Sequence, residues 1–238
     1  MKFLERFRVP KESEKAPKNV PEEPERKEAA KSWSARRILD GKVSIEEARR
    51  AEFEGYQEDF NLSPEELQKP ILDVGAHDGL FVQYVRNVLG NTATYGVDKS
   101  DFGIIPNNSE GMVLANGVQL PFRDGQFDIV LARNYLPLFS NTGYAPFAVW
   151  ELLRVVKPGG YVKFNSTTPD KELQAKEEWA MRSGTGQRNT SADAFFDKRY
   201  VETKKLEAFL QKIKERGYLV TEEKGARDRL VVTVHRPQ

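Results

Sequence analysis

The stretch Ile71-Leu72-Asp73-Val74-Gly75-Ala76-His77-Asp78-Gly79-Leu80-Phe81 decides the fold. Its first four residues make a hydrophobic strand that carries one carboxylate. Gly75 and Gly79 punctuate the turn that follows, where a backbone without side chains can bend sharply and let a ligand come close. Beyond the turn, Phe81, Tyr84, Val85 and Val88 recur at i, i+3, i+4 and i+7, the stripe of a helix packed on a sheet. A helix that starts at such a turn offers backbone N–H groups and the positive end of its dipole, a site for a carboxylate or a phosphate.

A second acidic residue narrows the ligand. Ala93-Thr94-Tyr95-Gly96-Val97-Asp98 reads as another apolar strand, and its closing Asp98 lies 25 positions after Asp73. An acidic side chain there can accept hydrogen bonds from both hydroxyls of a ribose. A dinucleotide, and with it a nicotinamide-dependent oxidoreductase, fits poorly. The turn lacks the G-x-G-x-x-G fingerprint, and Asp73 would repel a pyrophosphate. A ligand with an amino acid end suits the same place, with Asp73 facing its ammonium and the turn N–H groups facing its carboxylate. S-adenosylmethionine has such an end, a ribose and an adenine.

Further along come Asn116-Gly117-Val118-Gln119-Leu120-Pro121-Phe122-Arg123-Asp124-Gly125-Gln126-Phe127-Asp128-Ile129-Val130-Leu131-Ala132-Arg133-Asn134, a helix, and Arg154-Val155-Val156-Lys157-Pro158-Gly159-Gly160-Tyr161. With these the chain, from about Pro70 to Pro237, resembles the class I S-adenosylmethionine-dependent methyltransferases. The relevant branch carries L-D-x-G-x-G-x-G, an acidic end to the second strand, L-P-F-x-x-x-x-F-D-x-V and R-x-x-K-P-G-G in that order. The resemblance implies an α/β fold: a Rossmann-like, doubly wound, mostly parallel seven-stranded sheet with an antiparallel last strand, plus N-terminal helices.

It also implies S-adenosyl-L-methionine as cofactor, held by Asp73, Gly75, Ala76, His77, Asp78, Gly79, Asp98, Lys99, Asn116, Gly117 and Arg133. Two positions depart from the pattern. His77 replaces the middle glycine, and its side chain either points to solvent or contacts the cofactor. Asn116 stands where an aspartate usually accepts from the adenine amino group, a bond that an asparagine carbonyl can also accept.

Methyl transfer from a sulfonium is an in-line displacement, so alignment and exclusion of water are the protein's main tasks. An alcohol or protonated amine acceptor also needs a base. Arg133, Asn134 and Tyr135 follow the fourth strand, where the methyl group should emerge, and are the candidate catalytic residues. Arg133 can hold an acidic substrate and Tyr135 can orient or deprotonate one. Asp124 and Asp128 are alternative bases, more readily read as turn and strand-start residues. The expected acceptor is a small molecule or biosynthetic intermediate. A methyltransferase-like scaffold that has lost catalysis, suggested by His77 and Asn116, is the competing reading.

Composition bounds the rest. The chain has 238 residues, a formal net charge of +1 and no cysteine, with a mean hydropathy of −0.63. The absence of cysteine removes disulfides and thiolate chemistry, and two histidines, His77 and His235, are too few to suggest a transition-metal site. The charge balance speaks against a broad nucleic-acid footprint. No apolar run reaches membrane-spanning length and the start lacks a secretion signal, so a cytoplasmic protein is expected.

Residues 1–32 read as a disordered, charged tether, with Phe3, Leu4 and Phe7 either docking on a protein partner or fraying. Residues 33–69 form a helical segment over the sheet with two capping boxes, Ser44-Ile45-Glu46-Glu47 and Ser63-Pro64-Glu65-Glu66. Its Phe53, Tyr56 and Phe60 either close the cofactor pocket or bury against the sheet. Residues 70–238 form the catalytic domain. Within it an insertion at 165–202 starts a helix at Thr168-Pro169-Asp170, breaks at Ser183-Gly184-Thr185-Gly186-Gln187 and carries Phe195, Phe196, Arg199 and Tyr200. It reads as a substrate lid or a peripheral decoration.

Overall fold

The structure, a computed structural model, describes residues 38, 41–99, 109–135, 145–166, 175–178, 190–225 and 230–238. The tether, the arm residues Phe3, Leu4 and Phe7, Trp33, the Thr168 helix start and the Ser183 break lie outside them, as do the side chains of Phe195, Phe196 and Arg199.

Seven strands form one sheet: β1 Ile71–Val74, β2 Thr94–Asp98, β3 Met112–Leu114, β4 Phe127–Ala132, β5 Val156–Ser166, β6 Leu219–Lys224 and β7 Leu230–His235. Their order across the sheet is β3-β2-β1-β4-β5-β7-β6. The pairs from β3 through β5 are parallel, and β7 is antiparallel to both β5 and β6. This is the Rossmann-like methyltransferase arrangement that the resemblance implies, with the closing hairpin at the edge. The strand order reverses between β1 and β4, so the ligand crevice belongs at the carboxyl ends of these two strands.

Among the described residues the helices that flank the sheet include α1 Ile45–Phe60, α2 Leu80–Asn87, α3 Ala145–Val155 and α4 Thr190–Lys214. Alternation along the strands sorts side chains to two faces. Leu72, Val74, Val130, Val162 and Phe164 pack in one core with α3 and α4 residues such as Leu152 and Leu206. Ile71, Ile129 and Leu131 pack in a second core with Tyr56 and Phe60 of α1 and Phe81 and Val85 of α2. Of the expected α2 stripe, Phe81 and Val85 are buried, whereas Val88 caps the helix and is 60% exposed. The turn brings Leu80 and Val82 inward in its place.

Both capping boxes form, with unequal results. Ser44 and Glu47 close the first reciprocally and start the 16-residue α1. Ser63 and Glu66 close the second, but it opens only a three-residue 3-10 turn, Glu66–Gln68, because Pro70 and the strand follow at once. The boundary expected at residue 202 falls inside α4, which runs unbroken for 25 residues, so the second half of the insertion and the last packed helix are one element.

The R-x-x-K-P-G-G signature has a mechanical explanation. The Arg154 guanidinium donates to the carbonyls of Leu120 and Phe122 and to the carboxylates of Asp124 and Glu151, fastening the Leu120-Pro121-Phe122 loop to α3. Lys157 reaches Asp128 at 2.6 Å. Asp124 and Asp128 are therefore partners in structural ion pairs. A Cβ on Gly160 would lie 2.4 Å from the carbonyl oxygen of Asp128, which explains a glycine where β5 pairs with β4. Gly160→Ala is expected to force the two strands apart at a cost of about 1–3 kcal/mol. Urea unfolding checks this as a lowered midpoint at unchanged slope.

Candidate active site

The β1–α2 turn is held in shape by the neighbouring strand. Gly75 and Ala76 both donate their N–H groups to the Val97 carbonyl, and His77 N–H donates to Asp98 Oδ2 at 3.0 Å. Three turn N–H groups expected to face a ligand thus tie the turn to β2. The first helical bond runs from Gln83 N–H to the Gly79 carbonyl, which leaves the N–H groups of Leu80, Phe81 and Val82 ahead of it at the dipole's positive end.

Gly75, His77 and Gly79 have φ of 81°, 52° and 74°. The left-handed conformation at His77 is the reason a glycine is favoured at this position. The histidine adopts it with its side chain 60% exposed and Nδ1 3.7 Å from Asp78 Oδ2. That contact pushes the imidazole pKa up despite its partial burial. The ring is thus largely exposed rather than packed into the turn.

Asp73 has no exposed surface. Its Oδ2 accepts a hydrogen bond from the Tyr56 hydroxyl at 2.8 Å, while Oδ1 is buried without a hydrogen-bond partner. Burial pushes its carboxyl up to about 7. Tyr56 comes from α1, and its ring stacks on Phe81 at 3.9 Å between centroids and 12° between planes. Phe53 stacks on Tyr84 at 4.4 Å, and Phe60 meets Tyr56 edge-on. The three α1 aromatics therefore pack on α2 and the sheet, and Tyr56 does so while touching Asp73.

Arg133, at the end of β4, has its guanidinium 2.6 Å from Asp59 and 2.8 Å from Glu52, both on α1, and lies 5.1 Å from the Tyr56 ring centroid. Burial opposes its charge most strongly, but the Asp59 hydrogen bond and the charges of Glu52 and Asp59 together outweigh it, so its pKa lies above the ordinary value. A Cβ on Gly55 would sit 2.8 Å from the guanidinium, which makes this glycine the point where α1 crosses β4. Glu52 and Asp59 were absent from the residues expected at the site, and Tyr56 was expected there only as a ring that closes the pocket or buries against the sheet. Their spacing on one face of α1 was the available signal, but acidic residues on a helix also read as a solvated face.

Asp98 closes β2 beside the turn and is partly exposed, and Lys99 is exposed. Asn116 is exposed, and its Oδ1 accepts from Val118 N–H at 3.2 Å, a local turn bond. Gly117 is buried against Tyr135, whose hydroxyl oxygen would lie 1.8 Å from a Cβ there. The same ring lies 2.9 Å from the Cβ position of Gly75. Tyr135, 7% exposed, therefore forms the wall between the β1 turn and the Asn116-Gly117 loop. Burial drives its phenol well above the ordinary range, which disfavours the phenolate at neutral pH. Asn134 is exposed, with a φ of 56°. The turn, Asp98, Gly117 and Tyr135 thus share one corner of the sheet, with Asp73 and Arg133 beneath α1. Among the described residues no group of three or more histidine, aspartate or glutamate side chains is arranged to hold a metal, and no helix is long and apolar enough to cross a membrane.

Residues 72–164 match the family model described as a methyltransferase domain. A curated relative, phthiotriol/phenolphthiotriol dimycocerosates methyltransferase 1 of Mycobacterium ulcerans (strain Agy99), is 30% identical over 120 residues, which cover 47% of this chain and 41% of that protein. The chain thus spans less than half the length of this relative. Among solved structures, the plantazolicin methyltransferase BpumL with a pentazolic desmethylPZN analog and SAH superposes with a TM-score of 0.51 at 12% identity, covering 91% of this chain and 92% of that one. A SAM-dependent methyltransferase from Aquifex aeolicus gives a TM-score of 0.45 at 14% identity over 77% and 96% of the two chains.

Two measurements test the site's electrostatics. Arg133→Met takes the guanidinium away from Asp59, whose side chain is 2% exposed, and breaking this buried pair should cost about 3–5 kcal/mol. Adding Asp59→Asn should recover much of that loss in a double-mutant cycle. Asp73 titrates near 7 in the folded chain against an ordinary 3.8. Between these values the folded state holds the proton more tightly, so stability of the ligand-free protein falls as pH rises through that window. Asp73→Asn removes the fall, and its thermal midpoint should exceed that of the wild type more at pH 8 than at pH 5. An equal difference at both pH values would exclude a raised Asp73.

Proposed function

We propose that this chain, built around the methyltransferase domain of residues 72–164, transfers the methyl group of S-adenosyl-L-methionine in line to a small-molecule or biosynthetic-intermediate acceptor. The observation that carries the reading is the pairing of two carboxylates at the carboxyl ends of the adjacent strands β1 and β2, beside the strand-order reversal. Asp73 offers a buried oxygen without a hydrogen-bond partner, and Asp98 ends the adjacent strand beside a turn of left-handed residues. An ammonium supplies the donor that Asp73 Oδ1 lacks, and a ribose diol suits a carboxylate at a strand end.

The cofactor supplies an electrophilic methyl group on a positively charged sulfur. The chain's own residues bind and orient. Asp73 holds the ammonium, Asp98 the ribose, and the α2 amino terminus the carboxylate. Lys99, Asn116 and Gly117 border the adenine, with the Asn116 carbonyl able to accept from its amino group. Gly75, Ala76, His77, Asp78 and Gly79 shape the turn, and Tyr135 packs behind it. Arg133 fastens α1 over the crevice and so excludes water. Asn134, exposed at the carboxyl end of β4, is the side chain positioned to meet an acceptor. Catalysis then rests on alignment, and an acceptor already deprotonated at neutral pH, or one with its own base, is favoured.

Isothermal titration with S-adenosyl-L-methionine tests the reading, and no heat at millimolar cofactor would overturn it. Asp98→Ala should weaken binding by about 1.5–3 kcal/mol for each ribose bond lost. Unchanged affinity would take Asp98 out of the site.

A further inference from the structure

We propose that α1 is a positioning element for the amino acid end of the bound nucleoside, with Tyr56 fixing the Asp73 carboxylate and Glu52, one turn earlier, opposing its negative charge. The inference rests on the S-adenosylmethionine reading and assigns to it residues that lie outside the strand-turn-helix motif. The geometry is specific. Tyr56 O–H donates to Asp73 Oδ2 at 2.8 Å, and its ring is fixed by the stack on Phe81, so the hydroxyl reaches the carboxylate from a rigid support. With Oδ2 occupied, Oδ1 is the one Asp73 oxygen lacking a hydrogen-bond partner and thus able to receive an ammonium. Arg133 holds the helix in register through Asp59 and Glu52, and Gly55 makes that approach sterically feasible.

The groups acting on Asp73 come from each element around it. Tyr56 and Glu52 belong to α1, Arg133 to the end of β4 and Asp98 to the end of β2. The Tyr56 hydrogen bond and the Arg133 charge favour the ionised carboxylate, whereas burial, Glu52 and Asp98 oppose it. His77 and Asp78 act in turn on Glu52. An ammonium binds the carboxylate form, so ligand affinity should rise with pH as Asp73 loses its proton. α1 sets where that rise falls.

Calorimetric titration with S-adenosylhomocysteine, which carries the same amino acid end, across pH 5.5 to 8.5 reads the effect in the full chain. In Tyr56→Phe the ring stack is kept and the hydrogen bond is lost. Affinity at pH 7 should drop about tenfold, and the midpoint of the pH profile should move up. In Glu52→Gln the midpoint should move down, and this variant decides the matter should Tyr56→Phe fail to fold. Glu47→Ala, which weakens the α1 cap away from the site, should lower thermal stability and leave the midpoint in place.

A midpoint that stays put in both Tyr56→Phe and Glu52→Gln would overturn the proposal, as would a loss of affinity equal at every pH. Wild-type protein that takes up no S-adenosylhomocysteine at any pH would instead remove the cofactor reading on which it rests.

Discussion

The constraint on which the site depends is the burial of a carboxylate at the end of the first core strand. Asp73 sits on the face of β1 that also carries Ile71, under the rings of α1, with one oxygen bonded to Tyr56 and the other without a hydrogen-bond partner. Left to itself such a group favours its neutral form, because a charge in an apolar interior forfeits hydration that nothing replaces. A folded chain that keeps it there accepts reduced stability at neutral pH, which the proposed function would turn to use by placing a cation against it. The same trade is seen wherever a binding site is arranged before its ligand arrives.

Around that residue, α1 behaves less as a covering than as the second half of the site. Its aromatic side packs on α2, its acidic side grips Arg133, and Tyr56 sits where the two meet. Arg133 is attached to a strand end that the fold holds rigid, so the ion pairs transmit the position of β4 to α1. The turn is fixed in a parallel way by β2, through Val97 and Asp98. Two strands on either side of β1 therefore hold, respectively, the floor and the roof of the crevice.

How much of this was legible in the sequence follows from distance along the chain. The β1 turn, the end of β2 and the closing hairpin are local patterns, and each formed in its expected place, whereas Val156 to Gly160, which read as the end of a helix and its stop, belong to β5. The Tyr56 to Asp73 bond joins residues 17 apart and the Arg133 to Asp59 pair joins residues 74 apart. Neither leaves a local trace: acidic residues such as Glu52 and Asp59 read equally as a solvated helix face, and Tyr56 read equally as a pocket ring or as core. Tyr135 was expected near the transferred methyl group from its place after β4. Its role as a wall depends on Gly75 and Gly117 lacking side chains, a fit visible only in three dimensions. The second capping box misled about length, because a good start signal says nothing about the proline a few residues on.

The two borders of the sheet carry a consequence for the chain's behaviour in a crowded solution. β3, at one margin, is three residues long, too brief to template a neighbouring molecule. β6, at the other, is longer but ends in Glu222, Glu223 and Lys224, which a parallel, in-register copy would set against like charges. Brevity on one side and repulsion on the other both work against strand-by-strand aggregation, the failure to which an open sheet is most prone.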